Sequence, residues 1–300
     1  MKLIFMGTPL FACYVFDELI LHHEILAVFT QPDKPVGRKN IITPPPIKQK
    51  ALQHHIKIYQ PTMLGKDEIE AIASLKPDMI VVVAYGKILP ESILKIAPCV
   101  NVHASILPKY RGASPIQQML LSDDKEFGVT IIRMDKGLDS GDILMTKTIT
   151  RDSVENMGLE SLSQKLSLLG ASALLEVLEH YQDITPIPQD STQATYCKKI
   201  TKSDGLIDFD DAKEIFKKSL AYENWPGIYI KSGIKLFHLT LCKYTGTHIA
   251  GEILQTTPHV IIGCKKGSLI IESIQAPSKQ KILAADFLRG RGLKVGDILQ

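Results

Sequence analysis

The sequence predicts an α/β fold, a doubly wound and mostly parallel sheet, followed by a smaller β-barrel domain. Three observations carry that expectation. Strand-like and helix-like segments alternate over roughly the first 180 residues, which is how parallel sheets with crossover helices are encoded. The pattern breaks at residues 182–199, where prolines and polar residues show no periodicity, and short β-rich runs punctuated by glycine follow, the spacing of a small barrel. A 300-residue chain with 45% hydrophobic and 22% charged residues fills two cores and reads as neither disordered nor membrane-spanning.

Lys2 to Met6 is the first predicted strand, turned by Gly7-Thr8-Pro9 into an amphipathic helix from Pro9. The same stretch is not expected to be a secretory leader, because the turn interrupts the apolar run, Phe11 spoils a small-residue cleavage site, and Asp17 and Glu18 follow. Strand, glycine turn and helix open many nucleotide-binding folds, but G-x-G-x-x-G is absent. A second strand, Ile25 to Thr30, leads into QPDKPVGRKNIITPPPIK, whose five prolines and glycine predict a long loop without regular structure. Thr62 to Leu75 reads as a helix, and the valine-rich Asp78 to Tyr85 as a buried parallel strand. Cys99 to Val102 and Val129 to Met134 are further strand-like runs, and Leu159 to His180 is a long closing helix. After the break, DAKEIFKKSLAY is one short helix, and GIYIKS, IKLFHLTLCKY, AGEILQ, HVIIGC and SLIIESI are barrel strands. The expected division is a catalytic domain over 1–184, a linker over 185–204 and the barrel over 205–300.

The chemistry concentrates in residues 100–142. Asn101 and His103 alternate with Val100 and Val102, so in a strand they share one face, roughly 6–7 Å apart. The strand ends in the loop SILPKYRGASP, which puts an amide and an imidazole at the carboxyl edge of the sheet, where open α/β sheets bind ligands. An amide can donate to an oxygen that gains charge as a carbonyl carbon is attacked, and an imidazole can move a proton near neutral pH. Asp139 lies in a later loop, GLDSGD, and a carboxylate beside the ring would orient it. No serine or cysteine is set up as a nucleophile, since Ser105 lies in HASIL rather than a G-x-S-x-G elbow. The residue types favour direct attack by an amine on an activated acyl group, without an acyl-enzyme. Read alone, His103 fits better a core histidine satisfied by its neighbours, with Asn101 and Asp139 shaping turns.

NVHASILPKYRGASPIQ followed by GVTIIRMDKGLDSGDIL resembles the folate-dependent formyltransferases. The resemblance implies that Asn101, His103 and Asp139 form the catalytic trio. It implies that Ser105, Ile106, Leu107 and Pro108 contact folate as the family's S-L-L-P does, with one Leu-to-Ile departure, and that Ile88 and Leu89 of AYGKILP line the folate pocket, although by themselves these two read equally as routine packing residues. Met6-Gly7-Thr8-Pro9 resembles the family's opening, but Leu10 stands where a polar or acidic residue is usual and receives no role. The string Q-P-D-x-P-x-G-R resembles a loop that reaches the acceptor end of a tRNA, which makes Arg38 a candidate tRNA contact. WPGIY and QAPSKQKILAADFLRG resemble the family's C-terminal barrel of OB type, so the likeness spans nearly the whole chain. The activity implied is transfer of a formyl group from 10-formyltetrahydrofolate to the α-amine of initiator methionyl-tRNA. Which of His103 and Asp139 takes the amine proton stays open.

Charge divides along the same line. Residues 1–185 hold 19 basic and 21 acidic side chains, a net of −2, whereas residues 186–300 hold 16 and 11, a net of +5. The basic excess fits either a solvated face or a phosphate-contacting surface. Lys198, Lys199 and Lys202 are the candidate tRNA contacts within it. Five scattered cysteines without a C-x-x-C pair fit a reducing cytoplasm, and no metal site, membrane span or obligatory protein partner is expected. The adjacent histidines, His22-His23 and His54-His55, are expected at helix ends as surface residues. Two rival readings are a formyltransferase acting on an amino sugar or other small amine, or a formyltetrahydrofolate hydrolase, and a non-catalytic RNA-binding protein built on the barrel. The basic loop motif and the basic C-terminal part weigh against the first. The second leaves Asn101, His103 and Asp139 without purpose.

Overall fold

Strands β1 (Lys2–Gly7), β2 (Glu24–Phe29), β5 (Ile58–Tyr59), β6 (Met79–Val83) and β7 (Cys99–His103) pair in parallel, and β9 (Glu126–Arg133) and β10 (Ile143–Thr150) continue the sheet antiparallel. These come from a computed structural model, which describes residues 1–300 apart from Arg38 and Tyr244. The sheet order is β10-β9-β7-β6-β1-β2-β5. The chain therefore steps outward from β1 to β2 and β5, then returns to β1's other side for β6 and β7. That reversal makes a crevice at the carboxyl ends of β1 and β6.

Both faces of the central strands are covered, which is why they read as unbroken apolar runs. Leu3 and Phe5 face helix α1 (Leu10–His22), where Phe16 meets Phe5 edge-on at 5.3 Å between ring centres. Ile4, Met6, Ile80 and Val82 of the opposite face are buried with Ile72 of α3 (Lys66–Leu75) and Ile93 of α4 (Glu91–Leu94). Each fully buried aliphatic side chain contributes about 1.5–3 kcal/mol. The turn between β1 and α1 admits only glycine at position 7, because a Cβ there would lie 2.6 Å from Phe5 and 2.8 Å from Ala12. In α6 (Leu159–Glu179), Gly170 lets the helix settle on β7, since a Cβ would lie 2.7 Å from Val102.

Several boundaries differ from expectation. The stretch 31–48 is not irregular throughout: β3 (Lys34–Val36) and β4 (Ile41–Thr43) form a hairpin, and α2 (Pro46–Gln53) begins at its end. The prolines do not prevent this, because Pro35 sits in an isolated two-stranded ribbon and Pro46 at a helix start, both places where a missing N–H costs little. Helix α3 starts at Lys66 rather than Thr62, where the Glu68 carboxylate accepts the Gly65 N–H at 2.9 Å. Of the paired histidines, His22, His54 and His55 are exposed, but both ring nitrogens of His23 are buried without a hydrogen-bond partner among the described residues. Burial, then the N-terminal amino group, pushes its pKa down.

The chain divides into two compact units. The first comprises Met1–Pro115, Asp124–Val154 and Leu162–Cys197. Residues 182–197, expected to belong largely to a linker, are part of it. Ile187 bridges to Ile143, and β11 (Tyr196–Cys197) pairs in parallel with β8 (Arg111–Gly112). The prolines and polar residues that look like a linker here make specific contacts at the sheet's carboxyl edge.

The second unit comprises Ile116–Asp123, Glu155–Ser161 and Lys198–Gln300, and so takes in most of α5 (Pro115–Leu121). Its sheet runs in the order β12 (Ile228–Tyr229), β13 (Lys235–Lys243), β16 (Ser268–Gln275), β15 (Val260–Gly263), β14 (Ile253–Gln255), with β17 (Ile282–Leu283) also on β16. The outer strands β12 and β14 are not paired with each other among the described residues, so strand pairing alone does not close a barrel. Helices α7 (Ala212–Ala221) and α8 (Ala284–Gly290) pack on this sheet, and Asp211 caps α7 by accepting the Lys213 N–H at 2.8 Å. Among the described residues no helix is long and apolar enough to cross a membrane.

Candidate active site

Strand β7 delivers Asn101 and His103 to the carboxyl edge of the first unit's sheet, 8% and 6% exposed. Asn101 pairs across to Val82 and Ile132, and His103 to Thr130, so both sit within the sheet's frame rather than on a free loop. The chain then turns through SILPK. The Thr130 hydroxyl pins this turn, donating to the Ser105 carbonyl at 2.7 Å and accepting the Leu107 N–H at 3.1 Å. The Ser105 hydroxyl donates to the Lys109 carbonyl at 2.6 Å, so it closes the turn and is no nucleophile.

His103 and Asp139 come together. The ring Nδ1 lies 3.7 Å from Asp139 Oδ2, too long for a hydrogen bond, and Nε2 lies 2.9 Å from the Tyr110 carbonyl oxygen. The Gly112 N–H donates to the same Oδ2 at 2.8 Å. One tripeptide, Tyr110 to Gly112, thus holds the imidazole at one end and the carboxylate at the other. The loop carrying Asp139 is tight. A Cβ on Gly141 would lie 1.9 Å from the Arg133 carbonyl oxygen, and Ser140 Oγ bonds both Asp135 carboxylate oxygens at 2.9 and 3.0 Å. The Asn101 amide makes no hydrogen bond among the described residues and remains free to donate. Amide, ring and carboxylate at one sheet edge can stabilise an oxyanion and move a proton.

The remaining expected residues fall in different settings. Ile106 and Pro108 are half-buried and Leu107 is buried beside the site. Ile88 is 78% exposed while its neighbour Leu89 is 3% exposed and belongs to the core under α3 and α4. Arg38 lies outside the described residues. Lys198, Lys199 and Lys202 are exposed in the second unit. At the neighbouring strand ends, the Thr8 hydroxyl and the Gln31 amide both donate to the Tyr85 carbonyl, at 3.1 and 3.0 Å, tying β1, β2 and β6 together at the crevice.

Three residues beside the pair carried no signal in the sequence. Arg111 is 3% exposed, and Gln189 and Thr195 lie in the stretch expected as a linker. Cys197 is also buried here; burial pushes its thiol up, so it is not poised as a thiolate. Burial alone would push up the nearby Asp124 carboxyl, but hydrogen bonds from the Tyr110 hydroxyl and Lys109 outweigh that and hold it low. No group of three or more His, Cys, Asp or Glu placed to hold a metal occurs among the described residues.

Comparison with known proteins identifies a family for both parts of the chain. Residues 1–178 match the formyl transferase family and residues 199–292 match the formyl transferase C-terminal domain. The chain is 49% identical over 306 residues to a methionyl-tRNA formyltransferase of Helicobacter acinonychis, covering 100% of both chains. It is 47% identical over 301 residues to the protein of that name from Nitratiruptor sp., covering 99% of both. Among solved structures, HypX from Aquifex aeolicus in complex with tetrahydrofolic acid shares the fold, with a TM-score of 0.65 at 18% identity. That match covers 99% of this chain and 49% of HypX.

Proposed function

Because the chain belongs to the formyl transferase family, we propose that it transfers the formyl group of 10-formyltetrahydrofolate to the α-amine of initiator methionyl-tRNA. The observation that carries this reading is the full-length, 49% identity to a methionyl-tRNA formyltransferase. The sheet-edge arrangement of Asn101, His103 and Asp139 supports it from the chemical side.

In the proposed mechanism the neutral amine of the methionyl group attacks the formyl carbon directly, with no acyl-enzyme. The Asn101 amide donates to the carbonyl oxygen as it becomes an oxyanion. The proton released by the attacking nitrogen passes to His103 or to Asp139, which face each other at 3.7 Å. The substrate nitrogen that loses the formyl group leaves with a proton returned from the same pair. Ile106, Leu107 and Pro108, with exposed Ile88, offer the apolar contacts for the folate; Leu89 supports them from the core. Ser105 contributes by fixing the turn, its hydroxyl being engaged with Lys109.

The division into a catalytic domain over 1–184, a linker over 185–204 and a tRNA-binding domain over 205–300 is part of the proposal, with the second sheet read as an OB-like barrel. Lys198, Lys199 and Lys202, with Arg38, are the proposed phosphate contacts. This reading places the enzyme in the cytoplasm with the translation apparatus. It is tested by offering purified protein 10-formyltetrahydrofolate with methionyl-tRNA or with amino-sugar nucleotides. Formylation of methionyl-tRNA alone is expected; formylation confined to the sugars would overturn the reading.

A further inference from the structure

Gln189 sits at the centre of a network that the proposed mechanism does not use. Its side-chain oxygen accepts from Arg111 Nε at 3.1 Å and Nη2 at 2.7 Å, and its amide donates to the carbonyls of Asp139 at 2.9 Å and Gly141 at 2.7 Å. All four hydrogen-bonding positions of the carboxamide are engaged, and the partners fix its orientation, since a guanidinium requires the oxygen and two carbonyls require the amide. Arg111 is buried, and among the described residues it has no carboxylate partner; its guanidinium is held by Gln189 and, at 3.5 Å, the Tyr196 hydroxyl. Burying a cation against a neutral amide, with no carboxylate to pair it, is energetically costly.

The other end of the same segment grips the other half of the pair. The Thr195 hydroxyl accepts the Tyr110 N–H at 2.8 Å, and the Thr195 carbonyl accepts the Arg111 N–H at 2.8 Å. Tyr110 and Asp139 both adopt left-handed backbone conformations, with φ of 62° and 50°, which side-chain-bearing residues hold only when their surroundings impose it. Tyr110 presents the carbonyl that meets His103, and Asp139 presents the carboxylate. Both strained residues are therefore fastened by residues 189–195.

We infer that residues 189–197 are a strap that sets the spacing of His103 and Asp139, with Gln189 and Thr195 as positioning residues. The inference rests on the reading of those two as the catalytic pair. It predicts that the strap acts on the pair, Gln189 through Asp139 and Thr195 through Tyr110 and His103, rather than through general stability. Gln189→Glu keeps an acceptor for Arg111 but turns a carboxylate oxygen toward the Asp139 and Gly141 carbonyls.

The test measures steady-state formylation of methionyl-tRNA by Q189E, by D139N and by the double variant. Q189E is expected to lower kcat by ~10-fold or more, with KM for both substrates within about threefold of the unaltered chain. In the D139N background the same change is expected to cost less than about threefold, because its target is already gone. Thr195→Val, which removes the acceptor for the Tyr110 N–H at the His103 end, is read in the same way against an H103A background and answers the question should Q189E not fold. An equal factor in both backgrounds, or unchanged kcat in Q189E or, where that fails to fold, in T195V, overturns the strap. Failure of the unaltered chain to formylate methionyl-tRNA would instead overturn the functional reading.

Discussion

The Gly112 backbone N–H and Asp139 Oδ2 meet at 2.8 Å, and that same oxygen faces His103 Nδ1 at 3.7 Å. The carboxylate is thus held as an acceptor by the main chain, and its second contact is the His103 ring, with which the proposed mechanism pairs it. Replacing Asp139 by Asn puts an amide where an acceptor is required. D139N, His103→Ala and Asn101→Ala should each lower kcat by ~10²–10³. Steady-state kinetics checks this, with thermal melts within a few degrees of the unaltered chain showing that the fold survives.

Ile88 and Leu89 are neighbours with opposite fates, one 78% and one 3% exposed. Leu89→Ala should destabilise the first unit by about 2–5 kcal/mol, because it empties a core position. Ile88→Ala should leave stability unchanged and raise KM for 10-formyltetrahydrofolate several-fold. Urea titrations and folate-dependent kinetics separate the two.

The exposed lysines at 198, 199 and 202 should act on tRNA through charge rather than shape. Changing each to Gln should weaken tRNA binding similarly across tRNA sequences and reduce the slope of log affinity against log salt by about 1 for every phosphate no longer neutralised. Filter binding over a range of salt concentrations reads this. An unchanged slope in the triple variant would assign the lysines to a solvated face.

Asp123 offers a pH signature in the second unit. Hydrogen bonds from Lys213 at 2.7 Å and salt-bridge contact with Lys217 at 3.0 Å hold its carboxyl at about 2, below its ordinary value. A carboxyl whose pKa falls on folding binds fewer protons in the native state, so its contribution is present above about pH 4 and is lost as pH falls toward 2. The carboxylate is 70% exposed, so the contribution is small. Asp123→Asn should flatten the acid limb of the melting temperature across that window, measured by calorimetry.

By itself, the sequence determined the central strands and the placing of two residues on one strand face. Apolar runs such as MIVVV read as strands buried on both faces, and the alternation in CVNVH puts Asn101 and His103 on one side, because side-chain direction along a strand has a period of two. The motifs around 100–142 pointed to the family by resemblance. Tertiary structure alone decided the rest. His103 and Asp139 are brought together by sheet order, with β9 lying beside β7 and its following loop folding back across the edge. The prolines of 182–199 looked like a linker because a strap held by single hydrogen bonds has no periodicity to betray it. Its order depends on partners far along the chain, Arg111 and Asp139, which no local pattern encodes.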